Sequence, residues 1–355
     1  MPAVWDLPDF DAHEGVHFFS DVASGLRAVI AIHSTHLGPA AGGTRLWHYA
    51  DANDAVTDAL RLSRGMSFKN AMAGLPVGGG KGVILADKAR TKTPEMLAAF
   101  GCAIESLGGR YVTAEDVGMG EADLVAIGKE TRHVSGLPVG EGHAGGDPGP
   151  STAMGVFLGV KAAIRHALRK ESAQGVHVAI QGVGTVGGGL ARLLAAEGAK
   201  LTLADVDQAR AAKLAAELGG AAVDAAQILS VEADVVSPCA LGAILTADSI
   251  ARLNTPIVAG GANNQLALPE DGDRLHARGI LYAPDYVINA GGIISVAHEY
   301  QGGTNAAQVR AEIEKIPVRL TEIFERARRE SRPTSSVADH MARDRLAMGT
   351  RRKVA

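Results

Sequence analysis

Val176-His-Val-Ala-Ile180-Gln-Gly182-Val183-Gly184-Thr185-Val186-Gly187 is an apolar run that opens into G-x-G-x-x-G and then into a helical pattern. In a chain with 44 glycines among 355 residues, about 0.7 such glycine triplets arise by chance, so the glycines alone decide little. Their setting decides more. A strand-like run precedes them, a helix-like run to about Glu197 follows, and Asp205 stands at the end of the next apolar run, 23 positions after Gly182. In such a unit the first glycine permits a tight turn, the second lets backbone approach a pyrophosphate, and the third allows close helix packing. The helix N-terminus supplies N–H groups and a favourable dipole for phosphate. A carboxylate at Asp205 accepts from a ribose 2′-hydroxyl and repels a 2′-phosphate, which favours NAD over NADP, with Arg210 as the nearby cation that opposes this.

Outward from this unit the same rhythm continues. Lys200–Ala204, Ala233–Val236 and Pro256–Ala259 read as strands, with helices to Glu197 and Leu218, and Gly198 and Gly219 stand where a left-handed residue ends a helix. This predicts a doubly wound parallel sheet of Rossmann type. Upstream, Leu26–Ile32, Gly82–Ala86 and Tyr111–Thr113 read as strands. A helix is predicted over 51–64, and another starts at the Thr93-Pro94 cap and runs to about Leu107. The Gly/Pro-rich stretch 135–150 has no periodicity and marks a boundary or hinge. The expected organisation is an α/β chain of two domains. Residues 1–140, with a C-terminal helical region of about 325–355, form a catalytic and oligomerisation domain, and residues 141–324 form the dinucleotide-binding domain.

Composition narrows the partners. With 46% hydrophobic and 21% charged residues and a net charge of −4, the chain has neither the composition of a disordered protein nor that of a polybasic nucleic-acid binder. Small molecules are the expected partners, and the basic tail Arg351, Arg352, Lys353 reads as solvated. Cys102 and Cys239 stand far apart in no metal spacing, which suits a reducing cytoplasm. The acidic N-terminus lacks the basic start of a signal peptide, and no run is long enough to span a membrane. No metal is called for.

Two lysines sit in an unusual setting: Gly65-Met-Ser-Phe-Lys69-Asn70, expected just after the first helix, and Gly78-Gly-Gly-Lys81-Gly82, between a triple glycine and an apolar strand. Desolvation or a neighbouring cation lowers a lysine's pKa and frees its amine to act as a base. The glycines do not form a phosphate loop, since Leu75 and Gly82 break that frame.

At these residues the chain resembles the glutamate/leucine/phenylalanine/valine dehydrogenase family, nearest its leucine and phenylalanine branch. The blocks that carry the resemblance include Gly38-Pro-Ala-Ala-Gly-Gly-Thr-Arg45, the two lysine segments, Tyr111-Val-Thr-Ala-Glu-Asp116 and Pro238-Cys-Ala-Leu-Gly242. Further along are Ala259-Gly-Gly-Ala-Asn263-Asn264 and Tyr282-Ala-Pro-Asp-Tyr-Val-Ile-Asn289-Ala-Gly-Gly292. The resemblance implies NAD-dependent oxidative deamination of an L-amino acid to its 2-keto acid and ammonia, in a homo-oligomer, with closure of a cleft that excludes water. It implies that Lys69 pairs with the substrate carboxylate, that Lys81 activates water against the imino intermediate, and that Asp116 handles protons at the amine. A second cation would help keep Lys81 neutral. Asn263 would hold the carboxylate and nicotinamide ribose region, and Thr152, Cys239 and Ala240 would join the glycine loop in binding cofactor. Gly42, Gly43, Ala41, Ala114, Ile293 and Val296 would line an apolar side-chain pocket with no partner for a glutamate side chain. Leucine, valine, phenylalanine and tryptophan all remain candidates for it, because Ala41 enlarges the pocket while Ala114 is leucine-like.

Rival readings are weaker. His13-Glu14-Gly-Val-His17 fits the zinc-protease H-E-x-x-H, but Gly15 and the strand-like Phe18–Asp21 oppose the helix it needs. A 2-hydroxy-acid dehydrogenase would want a histidine base beside the lysines. A cofactor-binding sensor without turnover would have no use for Lys69, Lys81 and Asp116 together.

Overall fold

A computed structural model describes residues 3–7, 9–138, 147–302 and 305–354. The chain forms two compact units, residues 1–147 with 295–306 and 342–355, and residues 148–294 with 307–341.

In the first unit, β1 (Gly15–Asp21), β2 (Leu26–Ser34), β3 (Ala40–Ala41), β4 (Thr44–Trp47), β5 (Gly78–Leu85) and β6 (Tyr111–Val112) make a mixed sheet in the order β1-β2-β5-β3-β6, with β4 also pairing β5. β1, β2 and β5 run antiparallel, whereas β3 and β4 lie parallel to β5, and β6 parallel to β3. Helix α1 (Ala52–Ala73) starts where the Asp51 side chain accepts the Asn53 N–H, and it ends at Gly74 in the left-handed region. Its apolar face, including Ala55, Ala59 and Leu60, packs on Val29, Ala31 and Val83 of the sheet. On the other face α2 (Pro94–Ser106) and α3 (Glu121–Ile127) bury Phe100, Ile104, Leu124 and Ile127 against Ile30, Ile32, Ile84 and Tyr111. Truncating a fully buried phenylalanine such as Phe100 to alanine costs about 3–5 kcal/mol.

Two boundaries differ from the sequence expectation. Helix α1 does not stop at Arg64 but runs through Gly65 to Ala73, so Lys69 lies within the helix. Burial of Ser67, Phe68, Ala71 and Met72 outweighs the propensity cost of one glycine. Strand β5 starts at Gly78 and takes in the whole triple glycine. The zinc-protease reading fails on geometry. His17 lies in strand β1 and His13 before it, so no helical face presents the two together. His13 is instead buried, its Nε2 3.0 Å from the Leu60 carbonyl and from Ser63 Oγ.

The second unit contains α4 (Gly149–Leu168), β7 (His177–Gln181), α5 (Thr185–Ala196), β8 (Lys200–Ala204), α6 (Gln208–Leu218), β9 (Ala221–Ala222) and β10 (Val235–Pro238). After these come α7 (Ala247–Arg252), β11 (Ile257–Val258), α8 (Glu270–Ala277), β12 (Leu281–Tyr282) and α9 (Asp285–Ile288). All six strands are parallel, in the order β12-β11-β10-β7-β8-β9. This is the Rossmann order, and the strand order reverses between β7 and β10. Gly182–Gly187 follows β7 and Cys239 follows β10, so both lie at the carboxyl ends of the strands at that switch point, where ligands bind in such sheets.

Helix α10 (Gly291–Gln301) passes between the units after Ile294, and after α11 (Ala306–Ile313) and α12 (Ile316–Glu330), helix α13 (Thr334–Val354) does so after Met341. The sequence reading placed the return at about 325. A continuous helix carries no compositional mark where it leaves one core for another. Residues 139–146 of the Gly/Pro-rich stretch and the side chains of Arg351, Arg352 and Lys353 lie outside the described residues. Among the described residues no helix is long and apolar enough to cross a membrane.

Candidate active site

Side chains alternate along β5, and the surroundings of the glycines show which face is which. A Cβ on Gly79 would lie 2.0 Å from the Ser67 backbone nitrogen of α1, and one on Gly80 would lie 2.7 Å from the Tyr111 ring. Gly79 thus serves close packing of α1 on the strand, Gly80 serves that of Tyr111 on the opposite face, and Lys81 shares the α1 face with Gly79. Asn70 of α1, fully buried, fastens the approach by donating to the Gly78 carbonyl at 2.5 Å.

Lys81 is 5% exposed, and its Nζ lies 2.8 Å from Oδ2 of Asp116. The same oxygen accepts from Arg45 Nε at 2.9 Å. Arg45, on β4, also reaches Asp58 of α1 at 2.8 Å, and Asp58 accepts from the Tyr49 hydroxyl at 2.6 Å. Burial lowers the Lys81 pKa, Asp116 opposes this, and Arg45 adds to the lowering. Burial works to raise the Asp116 pKa, but Lys81 and Arg45 outweigh it and hold the carboxyl low. The pair therefore combines a fixed anion with a lysine that yields its proton more readily than usual.

Lys69 is half-buried on α1, twelve positions before Lys81 in the chain. Ala41 is buried at the end of β3. From there residues 42–44 run beside 112–114, with the Gly42 N–H donating to the Val112 carbonyl and the Thr44 N–H to that of Ala114. A Cβ on Gly42 or Gly43 would lie 1.9 or 2.2 Å from the carbonyl oxygen of Gly80 or Glu115, so both glycines are demanded by backbone packing. Val296 belongs to this unit and Ile293 to the other, both half-buried on α10.

In the second unit the glycine loop fits a dinucleotide. Gly182 has φ +85°, in the left-handed region. A Cβ on Gly187 would lie 1.9 Å from the Gly182 carbonyl oxygen, whereas nothing lies within 4 Å of one on Gly184, which is open where the fold wants a phosphate. Gly184 also precedes the first turn of α5, formed by Thr185, Val186 and Gly187. Asp205, 7% exposed, accepts the Val183 N–H at 2.8 Å and the Asp207 N–H at 3.0 Å. Burial works to raise its pKa, yet these bonds and Arg210 hold it low. The Arg210 guanidinium lies 3.8 Å from Asp205 and 3.2 Å from Asp207.

Thr152, in the first turn of α4, donates to the Pro148 carbonyl at 2.8 Å. Cys239 Sγ accepts from the Gly261 N–H at 3.4 Å, and burial pushes its thiol pKa up, the opposite of an activated nucleophile. Ala240 packs against Gly182, where a Cβ would lie 2.7 Å from its methyl. Asn263 is exposed, and its Oδ1 accepts from Asn289 Nδ2 at 2.7 Å.

Sequence reasoning assigned no role to Arg45, Asp58 or Asn289, although Arg45 and Asn289 stood inside quoted blocks. Arg45 and Asp116 are 71 positions apart, Asn263 and Asn289 are 26 apart, and no local spacing connects either pair.

Comparison with known proteins gives concordant results. Residues 13–133 match the family described as Glu/Leu/Phe/Val dehydrogenase, dimerisation domain, and residues 202–352 match Glutamate/Leucine/Phenylalanine/Valine dehydrogenase. A leucine dehydrogenase of Geobacillus stearothermophilus is 48% identical over 94% of this chain and 90% of its own. A valine dehydrogenase of Streptomyces coelicolor is 45% identical over 96% of this chain and 93% of its own. The crystal structure of L-tryptophan dehydrogenase from Nostoc punctiforme aligns with a TM-score of 0.85 at 40% identity, covering 96% of this chain and 97% of that one.

Proposed function

From the premise that the chain belongs to the glutamate/leucine/phenylalanine/valine dehydrogenase family and is an amino acid dehydrogenase, we propose that it oxidatively deaminates a hydrophobic L-amino acid with NAD+ and water, giving the 2-keto acid, ammonium, NADH and a proton. The observation that carries this reading is the buried Lys81 held 2.8 Å from Asp116.

NAD+, when bound, accepts the hydride from the substrate α-carbon. The Lys69 ammonium pairs with the substrate carboxylate. Asp116, kept ionised by Lys81 and Arg45, takes a proton from the substrate ammonium so that the nitrogen lone pair can drive hydride loss. Lys81 then removes a proton from water as it attacks the iminium carbon, and ammonia leaves from the resulting carbinolamine after proton return. Gly182, Gly184 and the first turn of α5 would hold the pyrophosphate, and Asp205 the adenosine ribose. NAD is preferred over NADP in this reading because Asp205 is a buried, ionised carboxylate and the neighbouring Arg210 is already engaged by Asp205 and Asp207. Asn263, steadied by Asn289, would orient the nicotinamide ribose region.

Ala41, Ala114, Ile293 and Val296 offer only apolar surface, so the substrate side chain is hydrophobic. The relatives named for leucine, valine and tryptophan support the class and leave size to be measured. Homo-oligomerisation is supported by the dimerisation-domain match, and a cytoplasmic setting by the two unpaired cysteines.

The test is NADH formation at mildly alkaline pH with L-leucine, L-valine, L-phenylalanine, L-tryptophan and L-glutamate. The expected result is a hydrophobic optimum, little rate with glutamate and little with NADP+. Silence across the panel, in protein that binds NAD, overturns the reading in favour of a sensor.

A further inference from the structure

Glutamate is costly to bury, and Glu299, in the part of α10 that belongs to the first unit, is partly withdrawn from water with a use for its charge. Its Oε1 accepts two consecutive backbone N–H groups, from Gly136 at 2.7 Å and from Leu137 at 3.0 Å. Gly136 has φ +84°, the left-handed conformation that helps turn successive N–H groups toward one anion. The adjacent Tyr300 hydroxyl meets His133 Nδ1 at 3.1 Å. Two neighbouring side chains of α10 thus grip residues 133–137.

That segment is in turn hydrogen-bonded to the strand leading to the proton-handling carboxylate. The Thr113 N–H donates to the His133 carbonyl at 3.1 Å, and the Ser135 N–H donates to the Thr113 carbonyl at 2.8 Å. Ala114 and Asp116 follow directly. Val296 lies three residues before Glu299, on the same side of the helix. A continuous path therefore runs from Val296 through Glu299, residues 133–137 and Thr113 to Ala114 and Asp116, all within one unit.

We propose that Glu299 is a positioning residue for substrate: by clamping the Gly136 and Leu137 amides it sets where Val296 stands relative to Ala114 and Asp116, and so sets affinity for the amino acid side chain. The inference rests on the pocket assignment under the proposed function. Charge-assisted bonds from one carboxylate to two amides are strong, and their loss leaves both donors to find new partners.

The experiment compares the wild-type enzyme with Glu299→Ala, Glu299→Gln and Glu299→Asp, reading KM and kcat for each hydrophobic amino acid, KM for NAD+, and amide hydrogen exchange at Gly136 and Leu137. Glu299→Ala is expected to raise KM for the preferred amino acid roughly tenfold. It should leave kcat and KM for NAD+ within about twofold and expose both amides to faster exchange. Glu299→Gln keeps an acceptor oxygen at the same reach and should recover most of the KM. Should the alanine variant fail to fold, Glu299→Asp, one methylene shorter, should show the same change in KM. The inference is overturned by an active wild type whose Glu299→Ala and Glu299→Asp variants keep its KM, by amides that stay protected without the carboxylate, or by equal losses toward amino acid and NAD+. A wild type inactive on the whole panel instead removes the functional reading beneath it, while the exchange data still report whether the clamp exists.

Discussion

Lys81 and Asp116 are joined at 2.8 Å in a place where burial works against the charge of each. The lysine must lose its proton to act as a base, so the deamination rate should rise with pH along a limb centred below the ordinary lysine range. The carboxylate is what favours the charged lysine. Asp116→Asn should therefore slow turnover by 100-fold or more, a typical loss for a proton-transfer group, and move the residual alkaline limb to lower pH. Lys81→Ala should remove turnover while leaving NAD binding nearly intact. A pH–rate profile of the three proteins checks this, and an unmoved limb in Asp116→Asn would show that the titrating base is another group.

Gly184 and Gly187 are three residues apart and should respond oppositely to one added methyl. At Gly187 the methyl meets the Gly182 carbonyl, and Gly187→Ala should cost about 3 kcal/mol of stability, as overpacking does. At Gly184 there is open space, so Gly184→Ala should melt within a degree or two of wild type yet raise KM for NAD+. Thermal melts beside cofactor titrations distinguish the two, and a normal KM in Gly184→Ala would mean that the pyrophosphate does not pass there.

Asp205→Asn keeps an acceptor for the Val183 N–H and removes the charge. With Arg210 3.8 Å away and left with Asp207 as its one anion here, kcat/KM for NADP+ should rise relative to NAD+ by about tenfold or more. An unchanged ratio would place the source of cofactor selectivity elsewhere.

His33 should make the fold acid-sensitive. It is buried, Nδ1 2.8 Å from Ser67 Oγ and Nε2 3.6 Å from Asp11, with the His13 ring edge-on to it. Burial first, then His13, with Arg64 adding to them and Asp11 opposing, pushes its pKa from 6.5 down to about 4. The unfolded chain takes up this proton at higher pH than the folded one, so the stabilisation is complete above pH 6.5 and is lost as pH falls toward 4. The loss amounts to about 3 kcal/mol. Urea denaturation at pH 7 and pH 4.5 should show a smaller drop for His33→Gln than for wild type, and equal drops would refute the assignment.

Much of the second unit was legible because its signals are local. Residues 177–205 form one strand–turn–helix–strand unit, and the duty proposed for each glycine and for Asp205 follows from its place in that short span. The setting of Lys81 was legible for a similar reason, since glycines beside an apolar run announce close packing. The Arg45–Asp116–Lys81 cluster was not, because it is assembled from β4, β5 and the turn after β6, and long-range proximity has no period. Lys69 was placed beyond its helix because the apolar pattern was followed only to Arg64, and only tertiary burial shows that the helix continues to Ala73. Glu299 looks like any helical glutamate until the backbone of residues 136–137 is brought to it.

The stretch from Gly78 to Lys81 leaves its inheritance little freedom. A carbon added to Gly79 collides with α1, and one added to Gly80 collides with Tyr111 on the opposite face. A descendant of this sequence would change Gly79 or Gly80 only at a cost in packing, whatever amino acid it comes to consume. In the proposed reading, changes of diet would fall to Ala41, Ala114 and the α10 positions, and Lys81 would stay where it is while its substrates are exchanged.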